Sequence, residues 1–217
     1  DAQKETWLKP LARGDKLGVS KADLNERIAE KLETLEIEGV DMAQRLEKEL
    51  KRDYHIITAK KRLRQIAQDF VLHYSRAWET GKAMLVCIDK ITCVRMYNLI
   101  TEFWDKRIAD LESELNTTTD DQEEVYRRRQ ILWMRETRIA VVVSEEQGEV
   151  DKFRQWDLDI TPHRRLIKDG MELPESMRMK PQFKNMQRMD VDEAFKEEAH
   201  PFRVAIVCAM WLTGFDV

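Results

Sequence analysis

The fold predicted from the sequence depends most on the stretch Phe202–Val217, FRVAIVCAMWLTGFDV. Its apolar run from Val204 to Cys208 is typical of a strand covered on both faces. The stretch ends in a turn with Gly214 and a single carboxylate, Asp216. In parallel α/β proteins a glycine and an acid at this place often contact a phosphate or ribose, because the glycine lets the backbone come close. Taken alone, the two residues are more typical of a strand-ending turn with a solvent-exposed acid.

Two further apolar runs predict strands. Residues 84–88, MLVCI, form a short continuous run, and residues 138–144, RIAVVVS, contain three consecutive valines, which favour a strand. Helical patterns lie between and after them, including a strong amphipathic stripe over 97–115. This alternation predicts an α/β fold, with a parallel sheet and flanking helices.

A helical segment is predicted to precede the sheet. Residues 1–19 show no sustained period, whereas helical spacing begins at Ser20 and continues in a second apolar face from Leu63 to Trp78. We therefore expect a mainly helical connector over 1–80 and an α/β domain over 81–217.

The composition excludes some classes of protein. Lysine and arginine number 37 against 41 aspartates and glutamates, a net charge of −4, which argues against a small basic DNA-binding module. No apolar run approaches the roughly 18 residues of a membrane span, and no basic-then-apolar leader opens the sequence. We expect no membrane partner and a soluble, cytoplasmic protein.

The three cysteines, Cys87, Cys93 and Cys208, lie within or beside apolar segments and form no C-x-x-C pair. Buried free thiols in a reducing cytosol are expected, rather than a zinc site or a disulfide. No metal ligand is predicted in this chain.

Two stretches carry a family resemblance. Residues 207–217, VCAMWLTGFDV, resemble motif V in the motor subunit of type I restriction-modification enzymes, which are DNA translocases of helicase superfamily 2. Residues 86–100, VCIDKITCVRMYNLI, resemble motif IV of the same motors. The resemblance runs from about Arg52 to Val217. It implies that the chain contains the second of two RecA-like domains, truncated after motif V and preceded by the helical segment.

The resemblance also assigns site residues. Asp216 would accept hydrogen bonds from the ribose of ATP, and Gly214 would complete the nucleotide contact. Thr213 in the same turn, together with Lys90 and Thr92, would contact DNA. Lys90 and Thr92 suit a phosphate through charge and hydroxyl donation. The residues alone leave another interpretation open, in which Thr92 and its neighbour Asp89 merely cap a helix while Lys90 is solvated.

One position departs from the family pattern. Cys208 stands where many superfamily 2 proteins place a DNA-contacting threonine, and a thiol is a weak hydrogen-bond donor. The departure puts direct DNA contact at Cys208 in doubt.

For the complete subunit, the resemblance implies ATP-dependent translocation and cleavage of double-stranded DNA. ATP and Mg²⁺ would be its cofactors, and the modification (methyltransferase) and specificity subunits its partners. The sequence has no G-x-x-x-x-G-K-[ST] motif, since Gly81-Lys82 is its only Gly-Lys pair. We therefore predict no catalytic residue here and expect a piece of a longer protein that is inert alone and binds no cofactor by itself.

Two other functions remain open. The charged helices of 20–80 would suit a non-enzymatic helical interaction protein with a small α/β scaffold. A different superfamily 2 DNA translocase would also account for the two motifs.

Several local predictions can be compared with a structure. Thr119 with Gln122 predicts a capping box for a helix that ends near Glu136. The three arginines 127–129 are expected to pair with glutamates on their own helix. His163 is expected to be exposed at a helix start with Pro162 at its first position. The methionine-rich residues 169–190 predict a long loop lying as a strap over the domain.

Overall fold

The computed structural model describes residues 52–79, 81–117 and 119–208, in which helices flank a three-stranded parallel sheet. This confirms the predicted α/β class. The elements are α1 (Lys60–Arg76), β1 (Ala83–Cys87), α2 (Lys90–Leu115), α3 (Asp121–Glu136), β2 (Arg138–Val142), α4 (Glu149–Arg154), α5 (Thr161–Asp169), β3 (Met171–Glu172), α6 (Glu175–Arg178), a 3-10 helix (Pro181–Met186), β4 (Arg188–Met189), α7 (Val191–Lys196) and β5 (Phe202–Cys208).

The strand order in the main sheet is β1-β5-β2, and both pairings are parallel. Cys87 of β1 lies opposite Cys208, and Val142 of β2 lies opposite Val207. From Val204 to Val207, β5 has no solvent exposure. Its unbroken apolar run is therefore explained, because a central strand covered on both faces has no side that needs polar residues.

Alternate side chains of β5 enter two different cores, as the two-residue period of a strand requires. Val204 and Ile206 join a cluster on one face, which also contains residues of α1, α2 and α3. Ala205 and Val207 join a second cluster on the other face, where Phe195 of α7 also packs. The sheet is thus the middle layer of the fold.

The chain divides into two compact units, Asp1–Arg62 and Leu63–Val217. Most of the first unit lies outside the described residues. In its described part, residues 52–57 and the start of α1 are helical. From Leu63 onward, α1 contributes Leu63, Ala67 and Val71 to the core of the second unit. That part of the predicted helical connector therefore packs with the α/β elements.

The methionine-rich residues 169–190 form short elements rather than one irregular loop. β3 and β4 pair in antiparallel fashion, and α6 and the 3-10 helix lie between them. Met171 packs into the second cluster, and Met177 joins a small separate cluster with Leu173 and Phe183. Met179, by contrast, is 91% exposed. The predicted gap-filling role is therefore seen for some of these methionines only.

Two local predictions about α3 have different outcomes. The capping residue is Asp120, whose carboxylate accepts hydrogen bonds from the amides of Gln122 and Glu123 at 2.8 and 3.0 Å. The prediction of Thr119 is wrong, because α3 begins at Asp121 and the residue directly before it is the acid. The expected ion pairs are confirmed for Arg127 with Glu123 and for Arg128 with Glu124, whereas Arg129 pairs with Glu79.

Within the described residues, no helix has both the length and the apolar character that crossing a membrane requires.

Candidate functional site at the carboxyl edge of the sheet

The two motif-like stretches meet at one edge of the sheet. β1 and β5 are hydrogen-bonded neighbours that end in register at Cys87 and Cys208. In parallel sheets, ligands bind outside the carboxyl ends of the strands. Thr213, Gly214 and Asp216 follow β5 and lie outside the described residues, so their predicted contacts stay predictions.

Asp89 caps α2 at this edge. Its backbone is extended, and its Oδ1 accepts a hydrogen bond from the Thr92 amide at 2.6 Å. A carboxylate at this position satisfies one of the free amides of the first turn and interacts favourably with the helix dipole. The capping alternative is therefore confirmed for Asp89.

Thr92 is buried rather than presented to solvent. Its exposure is 3%, and its hydroxyl has no hydrogen-bond partner in the part of the chain that the structure describes. A buried hydroxyl without a partner is unfavourable by about 1–3 kcal/mol. The predicted phosphate contact of Thr92 would require the hydroxyl to become accessible.

Lys90 forms an ion pair at the edge. Its Nζ lies 3.4 Å from Glu146 Oε2, and its side chain is 23% exposed. The other oxygen of Glu146 accepts from Lys152 at 3.2 Å. Hydrogen bonds from Lys152 and then Lys90 lower the pKa of Glu146. Since such exposed pairs contribute at most about 1 kcal/mol, Lys90 can exchange this carboxylate for another anion at little cost.

Arg164 fixes the end of β2, a role that the sequence did not suggest. Its guanidinium donates to the carbonyl oxygens of Val143 and Ser144 and to both carboxylate oxygens of Glu149. Glu149 is buried, so the pair is shielded from water. These bonds join the end of β2 to α4 and α5. No local pattern links residues this far apart in the chain, and the contact becomes visible only once the helices are placed.

The expectation of an exposed His163 is wrong. Pro162 lies in the first turn of α5, as its second residue rather than the predicted first, and His163 is only 7% exposed. Its ring meets the Tyr97 ring of α2 edge to face at 4.6 Å. Burial lowers the pKa of His163 to about 4. The histidine is therefore a neutral packing residue, because this face of α5 lies against α2.

The three cysteines gather close to the same edge and are free, as expected. Cys93 and Cys208 are buried, whereas Cys87 is half-buried. A hydrogen bond with Cys87 raises the pKa of Cys93, and burial raises the pKa of Cys208. Both remain neutral thiols near pH 7 and are poor nucleophiles. Across the described ranges, no three histidine, cysteine or acidic side chains are placed to hold a metal ion.

The edge therefore presents a capped helix start, a lysine in an exposed ion pair and the end of β5, after which Gly214 and Asp216 follow in the sequence. Such an arrangement can contact an anionic backbone through Lys90. Comparison of the chain with protein-family models, curated proteins and solved structures finds no match.

Proposed function

We propose that the chain is part of the motor and restriction subunit of a type I restriction enzyme, an ATP-dependent DNA translocase and endonuclease. It supplies motifs IV and V of the second RecA-like half of the motor. One observation carries the proposal: the stretches that resemble these motifs lie far apart in the sequence, yet β1 and β5 pair directly and end at the same edge. Two motifs that serve one ligand-binding edge must meet in this way.

The nucleotide contact belongs to residues that follow β5 in the sequence. Asp216 accepts hydrogen bonds from the ribose, and Gly214 lets the backbone approach. ATP and Mg²⁺ also require the Walker groups, which the sequence of this chain does not contain. The chain thus contributes one wall of a composite site and hydrolyses no ATP alone.

The DNA contact belongs to the turn between β1 and α2. Lys90 is the first residue of α2, and among the described residues its ammonium group forms one exposed ion pair, with Glu146. A backbone phosphate of double-stranded DNA replaces the carboxylate and releases counterions. Thr213 completes the contact from the neighbouring strand end.

Lys90→Ala tests the DNA contact in the complete subunit, assembled with its modification and specificity subunits. The variant should bind DNA more weakly, and the slope of log K against log salt should fall by about 0.9, as expected for one lost phosphate contact. Lys152→Ala is the matched control, because Lys152 pairs with the same Glu146 but lies on α4. Equal affinity of the Lys90 variant and the parent at every salt concentration would remove Lys90 from the DNA site.

Asp216→Ala tests the nucleotide contact in the same assembly. DNA-stimulated ATP hydrolysis should decrease while the unfolding transition stays unchanged. Asp151→Ala, on the exposed surface of α4, serves as control. Unchanged turnover would exclude Asp216 from the nucleotide site. If the Lys90 test also failed, the non-enzymatic scaffold would become the better interpretation.

A further inference from the structure

A cavity of about 310 Å³ lies away from the edge described above, where α2 passes the turn between α3 and β2. Its wall contains the buried side chains of Trp104 and Met134, with Ile108 and Ile139 beside them. Small-molecule sites usually span about 300–1,000 Å³ and combine an apolar lining with a few polar groups. The volume therefore suits a small ligand.

Most polar groups around this cavity already have partners. Trp104 Nε1 donates to the Met134 carbonyl oxygen at 3.0 Å, and the Thr101 hydroxyl donates to the Tyr97 carbonyl oxygen at 2.9 Å. Thr137 Oγ1 donates to the Trp133 carbonyl oxygen at 2.8 Å, and the Arg135 guanidinium pairs with Glu112. These contacts hold the wall in place without a ligand.

Three polar groups differ from the rest. Among the described residues, the Tyr97 hydroxyl, the Asp105 carboxylate and the Arg138 guanidinium make no hydrogen bond or ion pair, although all three line the cavity. Burial raises the pKa of Tyr97, which Asp105 raises further and Arg138 opposes. The Tyr97 hydroxyl is therefore close enough to be affected by both the Arg138 and the Asp105 charge, while none of the three groups is paired among the described residues.

The Arg138 guanidinium is the group most in need of a partner. Arg138 is half-buried, and burial lowers its pKa, so its charged form is disfavoured where it stands. A planar guanidinium pairs best with a carboxylate, through two parallel hydrogen bonds. Asp105 carries the opposite charge in the same cavity and would repel a multiply charged anion such as phosphate. A ligand that carries both charges satisfies both residues.

We propose that this cavity binds a small zwitterion, an α-amino acid with an apolar side chain. Its carboxylate pairs with Arg138 and accepts from the Tyr97 hydroxyl, its ammonium group pairs with Asp105, and its side chain packs against Trp104. The site is independent of the DNA and nucleotide contacts proposed above, because it is built from the middle of α2 and the start of β2.

Calorimetric titration of the whole chain with L-phenylalanine tests the proposal. L-Phenylalanine should bind, whereas 3-phenylpropionate, which lacks the ammonium group, and 2-phenylethylamine, which lacks the carboxylate, should each bind at least about tenfold more weakly, as loss of one charge-assisted contact predicts. L-Leucine, with the same charges on an aliphatic body, should also bind. Absence of binding by both amino acids would overturn the proposal, as would equal binding of 3-phenylpropionate and L-phenylalanine.

Three variants locate the site. Arg138→Gln and Asp105→Asn should each weaken L-phenylalanine binding by about tenfold or more. Asp105→Asn should also abolish the preference over 3-phenylpropionate. Arg128→Gln, which alters an exposed arginine of α3 that pairs with Glu124 and does not line the cavity, should bind like the parent. Unfolding transitions will show that the variants are folded, and parental affinity of folded Arg138→Gln would overturn the assignment.

Discussion

Two buried histidines make the stability of the protein depend on pH. Burial lowers the pKa of His163 and of His200 to about 4, from the usual 6.5. The Nδ1 atom of His200 accepts a hydrogen bond from the Phe202 amide at 3.1 Å, which requires the neutral ring. Because the folded pKa is the lower one, the unfolded chain takes up protons first as the pH falls. The free energy of unfolding should decrease between pH 6.5 and 4, by up to about 1.4 kcal/mol per pH unit for each histidine.

Replacing one histidine isolates its share of this effect. His163→Phe keeps an aromatic ring against Tyr97 but cannot titrate. The free energy of unfolding of the variant, measured in urea relative to that of the parent, should therefore increase as the pH is lowered from 6.5 to 4. Parallel curves over that range would show that His163 already titrates normally in the folded protein.

Thr92 offers a second test at the scale of one side chain. Its buried hydroxyl lacks a partner among the described residues, so Thr92→Val should leave the free energy of unfolding unchanged or raise it by up to about 1 kcal/mol. Thr137→Val is the control, because the Thr137 hydroxyl donates to the Trp133 carbonyl oxygen and accepts from Arg203, and its loss should cost about 1–3 kcal/mol. Urea titration measures both. A marked loss of stability in Thr92→Val would mean that its hydroxyl is paired in solution.

The same variant bears on the proposed DNA contact. In the assembled enzyme, weaker DNA binding by Thr92→Val at full stability would support a phosphate contact. Unchanged affinity would leave Thr92 as a core residue behind the Asp89 cap.

At the scale of elements, two glycines form a matched pair. Gly170, between α5 and β3, has φ 80° and ψ 170°, a region that is almost restricted to glycine. An added Cβ would lie 2.8 Å from the Met189 carbonyl oxygen of β4. Gly148, before α4, has φ 72° and meets nothing within 4 Å. Gly148→Ala should cost only the strain of a left-handed residue, about 1–2 kcal/mol, whereas Gly170→Ala should cost more.

Urea unfolding of the two alanine variants measures this difference. The larger loss expected in Gly170→Ala has two sources, the more restricted backbone region of Gly170 and the close contact of an added Cβ with β4. Equal losses would show that the two short strands separate easily to admit a methyl group.

The sequence predicted elements well where the pattern was local. The run 204–208 matches the interior of β5, and the valines of 138–144 match β2, because a strand covered on both faces has a continuous apolar sequence. Burial of single side chains was harder to predict. His163 follows a proline at a helix start, which suggested solvent exposure. Its face of α5 instead packs against α2, an element that is distant in the sequence. The unpaired groups around Trp104 were missed for the same reason.

For the whole molecule, α1 should be required for folding although the sequence assigned it to a connector. A chain shortened to begin at Lys60 keeps Leu63, Ala67 and Val71 and should unfold in one cooperative transition. A chain that begins at Lys82 loses these residues. The truncation also removes Trp78, which is buried, and Phe70 and Tyr74, which pack against the same core. At about 2–5 kcal/mol for each large side chain, this loss is comparable to the total stability of a domain, and the transition should disappear.

Circular dichroism during thermal unfolding distinguishes the two shortened chains. A cooperative transition in the chain that begins at Lys82 would show that the sheet and its other helices suffice for folding.

The site assignment also depends on a long-range contact, since only the pairing of β1 with β5 brings the two motif-like stretches together. The apolar runs predicted three strands, but no local pattern indicates which of them are neighbours.

The central position of β5 also has a consequence for biosynthesis. β1 and β2 do not pair with each other. Each pairs instead with β5, which is synthesised after both of them. Contacts between residues so distant in sequence form slowly, because a long loop must close first. While the nascent chain lacks β5, the apolar faces of β1 and β2 remain open to wrong partners, including other unfinished chains. This protein should therefore depend on chaperones most strongly just before β5 leaves the ribosome.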